Sequence, residues 1–250
     1  MKIETQEVCQ SFPLTRGKSH PVLEGVNLTV EAGCFTVILG ESGCGKSTLL
    51  NLLAGLVMPT TGQILANGKP VIGPSPDRSI LFQQPSLLPW LTVAENIAFG
   101  CRLRGEFDTL QSKVHDLMQM IGLVGCDDRH PAELSVGMAQ RVCLARALIG
   151  QPKALLLDEP FGALDIFNRT RLQNELIKIW QHRPFTAILV THDIDEALVV
   201  AEKIIILGGH PATAQSVYDV DLAYPRDIAS QPFFTARGQI LHQLRAATPF

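Results

Sequence analysis

The chain has 250 residues, 46% apolar and 18% charged, a length that fits one large domain with an inserted subdomain. Its net charge of −3, with no run of Lys or Arg, argues against nucleic acid as a partner. Residues 1–12 hold no apolar stretch behind Lys2, and no run approaches the roughly 18 apolar residues of a spanning helix, so a cytoplasmic chain with only peripheral membrane contact is expected.

In chain order, the N-terminal strands up to Val30 and the segment 63–71, turned at Asn67-Gly68, predict an antiparallel flank. Short apolar runs closed by turns predict strands over 26–30, 35–39, 80–82, 154–157, 186–190 and 203–207. Helical patterns lie between several of them, at 46–56 and at 169–180, the latter with Leu172, Leu176, Ile179 and Trp180 on one face. Strands alternating with helices imply a parallel sheet covered on both faces. Residues 86–150 lack strand patterning and carry helical patterns at 110–121 and 138–148, bounded by Pro85 and Pro89 on entry and Gly150 and Pro152 on exit. The expected organisation is therefore a core of 1–85 and 151–207, a helical subdomain of 86–150, and an extension of 208–250 that is polar, Pro-interrupted and assigned no element. The six cysteines form no Cys-x-x-Cys pair and read as small buried hydrophobes in a reducing compartment.

Gly40-Glu41-Ser42-Gly43-Cys44-Gly45-Lys46-Ser47-Thr48 follows one predicted strand and opens a helix, the context a phosphate-binding loop needs. The glycines let backbone N–H groups approach phosphate oxygens, and the helix N-terminus adds a favourable field. Lys46 then reaches the β and γ phosphates, and the Ser47 hydroxyl can ligate Mg2+. Leu155-Leu156-Leu157-Asp158-Glu159 is an apolar strand ending in two carboxylates. Alternation along a strand sends them opposite ways, so Asp158 is expected to partner Mg2+ and Glu159 to act as general base on the attacking water. Ser135 precedes a helix and reads as its N-cap, and that helix end with its hydroxyl also offers a second anion site.

Leu134-Ser135-Val136-Gly137-Met138, taken with these motifs, resembles the signature of the ATP-binding cassette ATPases, Leu-Ser-Gly-Gly followed by Gln or a substitute. The resemblance runs from about Lys2 to Leu207. It implies an α/β fold: a P-loop NTPase core with a parallel sheet, an antiparallel β flank and an inserted α-helical subdomain. It also implies that the signature of one subunit closes over ATP held by the phosphate loop of another, with Ser135 and Gly137 touching the γ-phosphate. By the same resemblance, Gln83 is the glutamine that senses Mg2+ and the γ-phosphate. Gly162-Ala163-Leu164-Asp165 is the loop crossing the dimer interface, His192 the switch histidine at the γ-phosphate, and Phe12 the aromatic that stacks on adenine. A lone aromatic also reads as plain packing.

Val136 departs from the family. A β-branched residue tolerates φ < 0 but is strained at φ > 0, so the shared site is intact in the first case and weakened in the second. Ala139 stands where many relatives carry Arg.

The single cassette and the compact segment between Gln83 and Ser135 favour a transporter subunit over two-cassette or coiled-coil relatives. Leu87-Leu88-Pro89-Trp90-Leu91-Thr92-Val93 and Tyr224-Pro225-Arg226-Asp227 are similar to importers of nitrate, taurine, aliphatic sulfonates and thiamine precursors. Trp90 also reads as a buried anchor. The resemblance implies ATP hydrolysis at the cytoplasmic face of the inner membrane by a pair of such chains, the other partners being two transmembrane permease subunits and, indirectly, an extracytoplasmic solute-binding protein. A catalytically weak regulatory subunit and a soluble non-transport ATPase are the alternatives.

Overall fold

The computed structural model describes residues 1–13, 19–162 and 164–247. Two compact units divide the chain: Met1–Ser75 with Pro184–Phe250, and Pro76–Arg183. In chain order, the first unit begins with β1 (Ile3–Pro13), β2 (Ser19–Val30), β3 (Phe35–Leu39), α1 (Lys46–Ala54), β4 (Thr61–Ala66) and β5 (Lys69–Pro70). The second unit holds β6 (Arg78–Leu81), α2 (Val93–Leu103), α3 (Leu110–Met120), α4 (Val136–Leu148), β7 (Ala154–Asp158) and α5 (Ile166–His182). The chain then returns to the first unit through β8 (Thr186–Thr191), α6 (Ile194–Val200), β9 (Lys203–Gly208), β10 (Thr213–Asp219) and α7 (Gln231–Ala247).

Within the first unit, β2, β1, β4 and β5 form an antiparallel sheet in that order, with Ile3 opposite both Val30 and Ala66. Asn67 and Gly68 both take positive φ and close the β4–β5 hairpin, the conformation an Asn-Gly turn favours. The other strands of this unit run β10, β9, β3, β8. Here β3 is parallel to both neighbours, while β10 is antiparallel on the outside. Every residue of β3 and of β8 is buried, so their apolar runs show no alternation because both faces are covered.

In the second unit β6 and β7 pair in parallel from Arg78 opposite Ala154 to Leu81 opposite Leu157. Helix α4 packs against β6 and α2, and α2 against α3. This unit is wider than the helical stretch read from patterning, because β6 packs with α4 and pairs with β7. The start of α2 is set by a capping box: Glu95 N–H donates to Thr92 Oγ1 at 3.3 Å, and Thr92 N–H to Glu95 Oε2 at 3.0 Å. Fully buried Asn96 accepts from Leu88 N–H and donates to the carbonyls of Leu88, Leu91 and Thr92, which knits residues 88–92 onto the helix. Trp90 in that loop is 69% exposed, so the buried-anchor reading is corrected: the anchor is Asn96, a polar residue paired on every side.

Residues 208–250, assigned no element from sequence, contribute β10 and α7 up to Ala247. Phe233, Ala236 and Ile240 are buried on one face of α7, which packs on α6, β9 and β10. Cys44, Cys101 and Cys143 are buried as expected of small hydrophobes, whereas Cys9, Cys34 and Cys126 are only partly so; all six are free thiols.

Candidate nucleotide site

The phosphate loop leaves the C-terminal end of β3. Gly43 and Gly45 take φ of 83° and 102°, a left-handed region that side chains disfavour, and Gly45 is the N-cap of α1. A Cβ on Gly45 would lie 2.9 Å from Val22 Cγ1, so that position excludes side chains by space as well as by φ. Lys46 is buried, and its Nζ donates to the Gly40 and Glu41 carbonyls at 3.0 and 2.7 Å. The loop thus holds the ammonium curled over its own backbone. Cys44 packs beneath, its thiol directed at the Leu207 carbonyl, and burial pushes its pKa up. Ser47 is exposed on the first turn of α1, beside exposed Glu41 and Ser42 and half-buried Thr48.

His192 reaches the same edge. Leu39 pairs with Thr191, and Gly40 N–H donates to the Thr191 carbonyl at 3.3 Å, so β8 ends where the phosphate loop begins. Exposed His192 sits between two pinned neighbours. Thr191 Oγ1 donates to buried Glu196 Oε2 at 2.7 Å and accepts from Asp193 N–H at 3.1 Å. Asp193 caps α6 by accepting from Asp195 and Glu196 N–H. Phe12, on β1 opposite His20, is 39% exposed, which removes the plain-core reading.

In the second unit, β6 and β7 end together and deliver Gln83 and Glu159 to one edge. Gln83 Nε2 donates to Glu159 Oε2 at 3.2 Å. The strand stops at Asp158, and Glu159 takes φ of 40°. Strand alternation is therefore not what separates the two carboxylates. A left-handed turn does, and it holds Glu159 in a conformation that costs a non-glycine residue about 1 kcal/mol.

Ser135 is exposed and caps α4, its Oγ accepting from Met138 N–H at 3.3 Å. Val136 opens the helix without positive φ and is 55% exposed, so no strain attaches to it. A Cβ on Gly137 would lie 3.3 Å from Leu164 Cδ2, so glycine there lets the following loop approach. Buried Gln140, which sequence reading passed over, donates from Nε2 to the Pro160 carbonyl at 3.1 Å. It ties α4 to the turn after Glu159. Arg141 donates to the Gly137 and Ile121 carbonyls, and burial lowers its pKa. Ala163 lies outside the described residues. Asp165, beyond it, caps α5 through Phe167 and Asn168 N–H, and the Asn168 side chain holds its carboxyl below the usual range.

A family profile described as ABC transporter matches residues 23–162, from within β2 through the turn after Glu159. The chain belongs to the ABC transporter family. It is an ATP-binding, ATP-hydrolysing cassette with the mixed sheet and helical subdomain of that fold. An aliphatic sulfonates import ATP-binding protein of Bacillus thuringiensis subsp. konkukian is 42% identical over 97% of this chain and 96% of its own length. A bicarbonate transport ATP-binding protein of Synechococcus elongatus is also 42% identical, and this chain spans 38% of that protein's length. Among solved structures, the dimeric post-hydrolysis state of the ATP-binding cassette MJ0796, bound to ADP and Pi, superposes with a TM-score of 0.77 at 27% identity, covering 88% of this chain and all of that one. Among the described residues no helix is long and apolar enough to cross a membrane.

Proposed function

We propose that two copies of this chain close on two ATP molecules and drive a membrane importer for a small anionic solute, from the cytoplasmic face of the inner membrane. The observation that carries the reading is the shared strand edge at which the loop around Lys46 and the switch residue His192 emerge side by side. ATP lies with its phosphates on the loop, where the γ-phosphate, a charged acceptor, draws Lys46 Nζ from the Gly40 and Glu41 carbonyls. Phe12 stacks on adenine. Ser135 and Gly137 of the partner subunit close the pocket, and Asp165 crosses the interface between the copies.

Glu159 takes the proton of the attacking water, with Gln83 Nε2 holding its carboxylate. His192 contacts the γ-phosphate, and ADP and phosphate are the products. By the family resemblance Mg2+ would take its protein ligands from Ser47, Gln83 and Asp158, all of which carry side-chain oxygens. No group of three His, Cys, Asp or Glu among the described residues forms a protein-only cage, which suits an ion that keeps few protein ligands and shares the substrate's phosphates. When bound, it neutralises phosphate charge.

Two transmembrane permease subunits receive the closing motion, and an extracytoplasmic binding protein delivers solute. Sulfonate and bicarbonate, the cargoes named for the two relatives, are both anions, which supports the anionic class over thiamine precursors. The decisive test is Glu159→Gln in the assembled transporter: ATP binding within about twofold of the parent and turnover down at least about a hundredfold. Unchanged hydrolysis would remove Glu159 as base.

A further inference from the structure

Helix α6 has only seven residues, too few to persist without outside support. Its first turn carries the switch residue, because Thr191 and Asp193, on either side of His192, are both bonded to it. Its last turn is held by residues far down the chain. Arg226 donates from Nη1 to the carbonyls of Leu198 and Ala201 and from Nε to Leu222 at 3.0 Å. Tyr224 Oη donates to the Val200 carbonyl at 2.6 Å. The guanidinium stacks 4.1 Å from the Tyr224 ring centroid. A third grip comes from α7, where Arg237 Nε donates to Asp195 Oδ1 at 2.7 Å.

These bonds suit a mechanical role. A cation at a helix C-terminus satisfies carbonyls that have no partner within the helix and complements the helix dipole. Arg226 and Tyr224 are half-buried. Burial pushes the tyrosine pKa up to about 12, so its hydroxyl remains a donor throughout the physiological range. The same segment also supports the phosphate loop. A Cβ on Gly208 would lie 2.7 Å from the Ala247 carbonyl of α7, and one on Gly40 would lie 2.5 Å from the Leu207 carbonyl, so α7, the end of β9 and the loop floor are stacked without slack.

We propose that Arg226, with Tyr224, is a positioning residue for ATP hydrolysis: it fixes the register of α6 and thereby the placement of His192 against the γ-phosphate. The proposal rests on the role given to His192 above. Displacing a reacting group by an ångström is enough to cost turnover severely while substrate binding persists.

The test uses the full-length ATPase and reads kcat, KM for ATP and thermal midpoint together. Arg226→Ala is expected to lower kcat about tenfold with KM within about twofold, and Arg226→Lys to recover part of the loss because an ammonium restores some of the carbonyl bonds. Tyr224→Phe, which keeps the ring, is expected to lower kcat by a smaller factor, with the thermal midpoint reduced only by the loss of the one bond to the Val200 carbonyl. In a His192→Ala background, Arg226→Ala should reduce the residual rate no further, since both act through one contact. Unchanged kcat in Arg226→Ala and Tyr224→Phe, or an additive loss in the double variant, overturns the proposal while leaving the ATPase reading intact. Full turnover in His192→Ala alone removes the role of His192, and the positioning role with it.

Discussion

Val136 stands where ABC signatures carry glycine, and the backbone there decides what that exchange costs. Because the residue opens α4 without positive φ and its side chain is exposed, Val136→Gly removes no strain and fills no gap. The expected result is a stability change of about 0.5 kcal/mol or less and turnover within about twofold of the parent, read by thermal melts and phosphate release. A large gain in turnover would instead revive the catalytically weak reading. Glu159 is the contrasting case. The role proposed for it follows from an apolar run ending in two carboxylates, but the left-handed φ that aims it was not legible, since strand periodicity carries no sign of where a strand stops.

Helices and strands were legible where packing imposes one period. The runs of β3, β7, β8 and β9 are buried on both faces and stand out as continuous apolar stretches bounded by turns. Helix α7 was hidden because Pro232 and Gly238 interrupt a polar sequence, although Phe233, Ala236 and Ile240 keep helical spacing. Strand β10 was hidden because it lies at an edge and is only half covered. The capping box Thr92-x-x-Glu95 was a signal for α2 that could have been read. Gln140 had no such signal, because its partner is a backbone carbonyl twenty residues away. That bond joins the signature helix to the turn bearing Glu159. Gln140→Ala leaves the buried Pro160 carbonyl unpaired and should cost about 1–3 kcal/mol, seen as a lower thermal midpoint, together with a fall in turnover. A midpoint equal to the parent's would show that water replaces the amide.

At the scale of the whole molecule, residues 208–247 pack on the first unit's core and are not an appendage. Ending the chain at Gly208 would strip β9 of its antiparallel partner and remove Phe233 and Ile240, each contributing about 1.5–3 kcal/mol of burial. Together, at about 3–6 kcal/mol, they reach the lower end of the total stability of an ordinary domain, so with β10 also lost the truncated chain is expected to lose cooperative melting and to aggregate along the bared strand. A truncated protein with the parent's melting curve would contradict this.

The central strand of that sheet also constrains how the protein is made. Both neighbours of β3, the strand that launches the phosphate loop, lie in the last third of the chain. A ribosome therefore emits β3 early and leaves both of its edges bare until β8 and β9 follow, on the order of ten seconds later. During that interval a strand destined for complete burial has no native partner in the sheet it will join. The nascent chain is thus most in need of chaperones while the nucleotide pocket is half written, and a ligand cannot help it fold until synthesis is nearly complete.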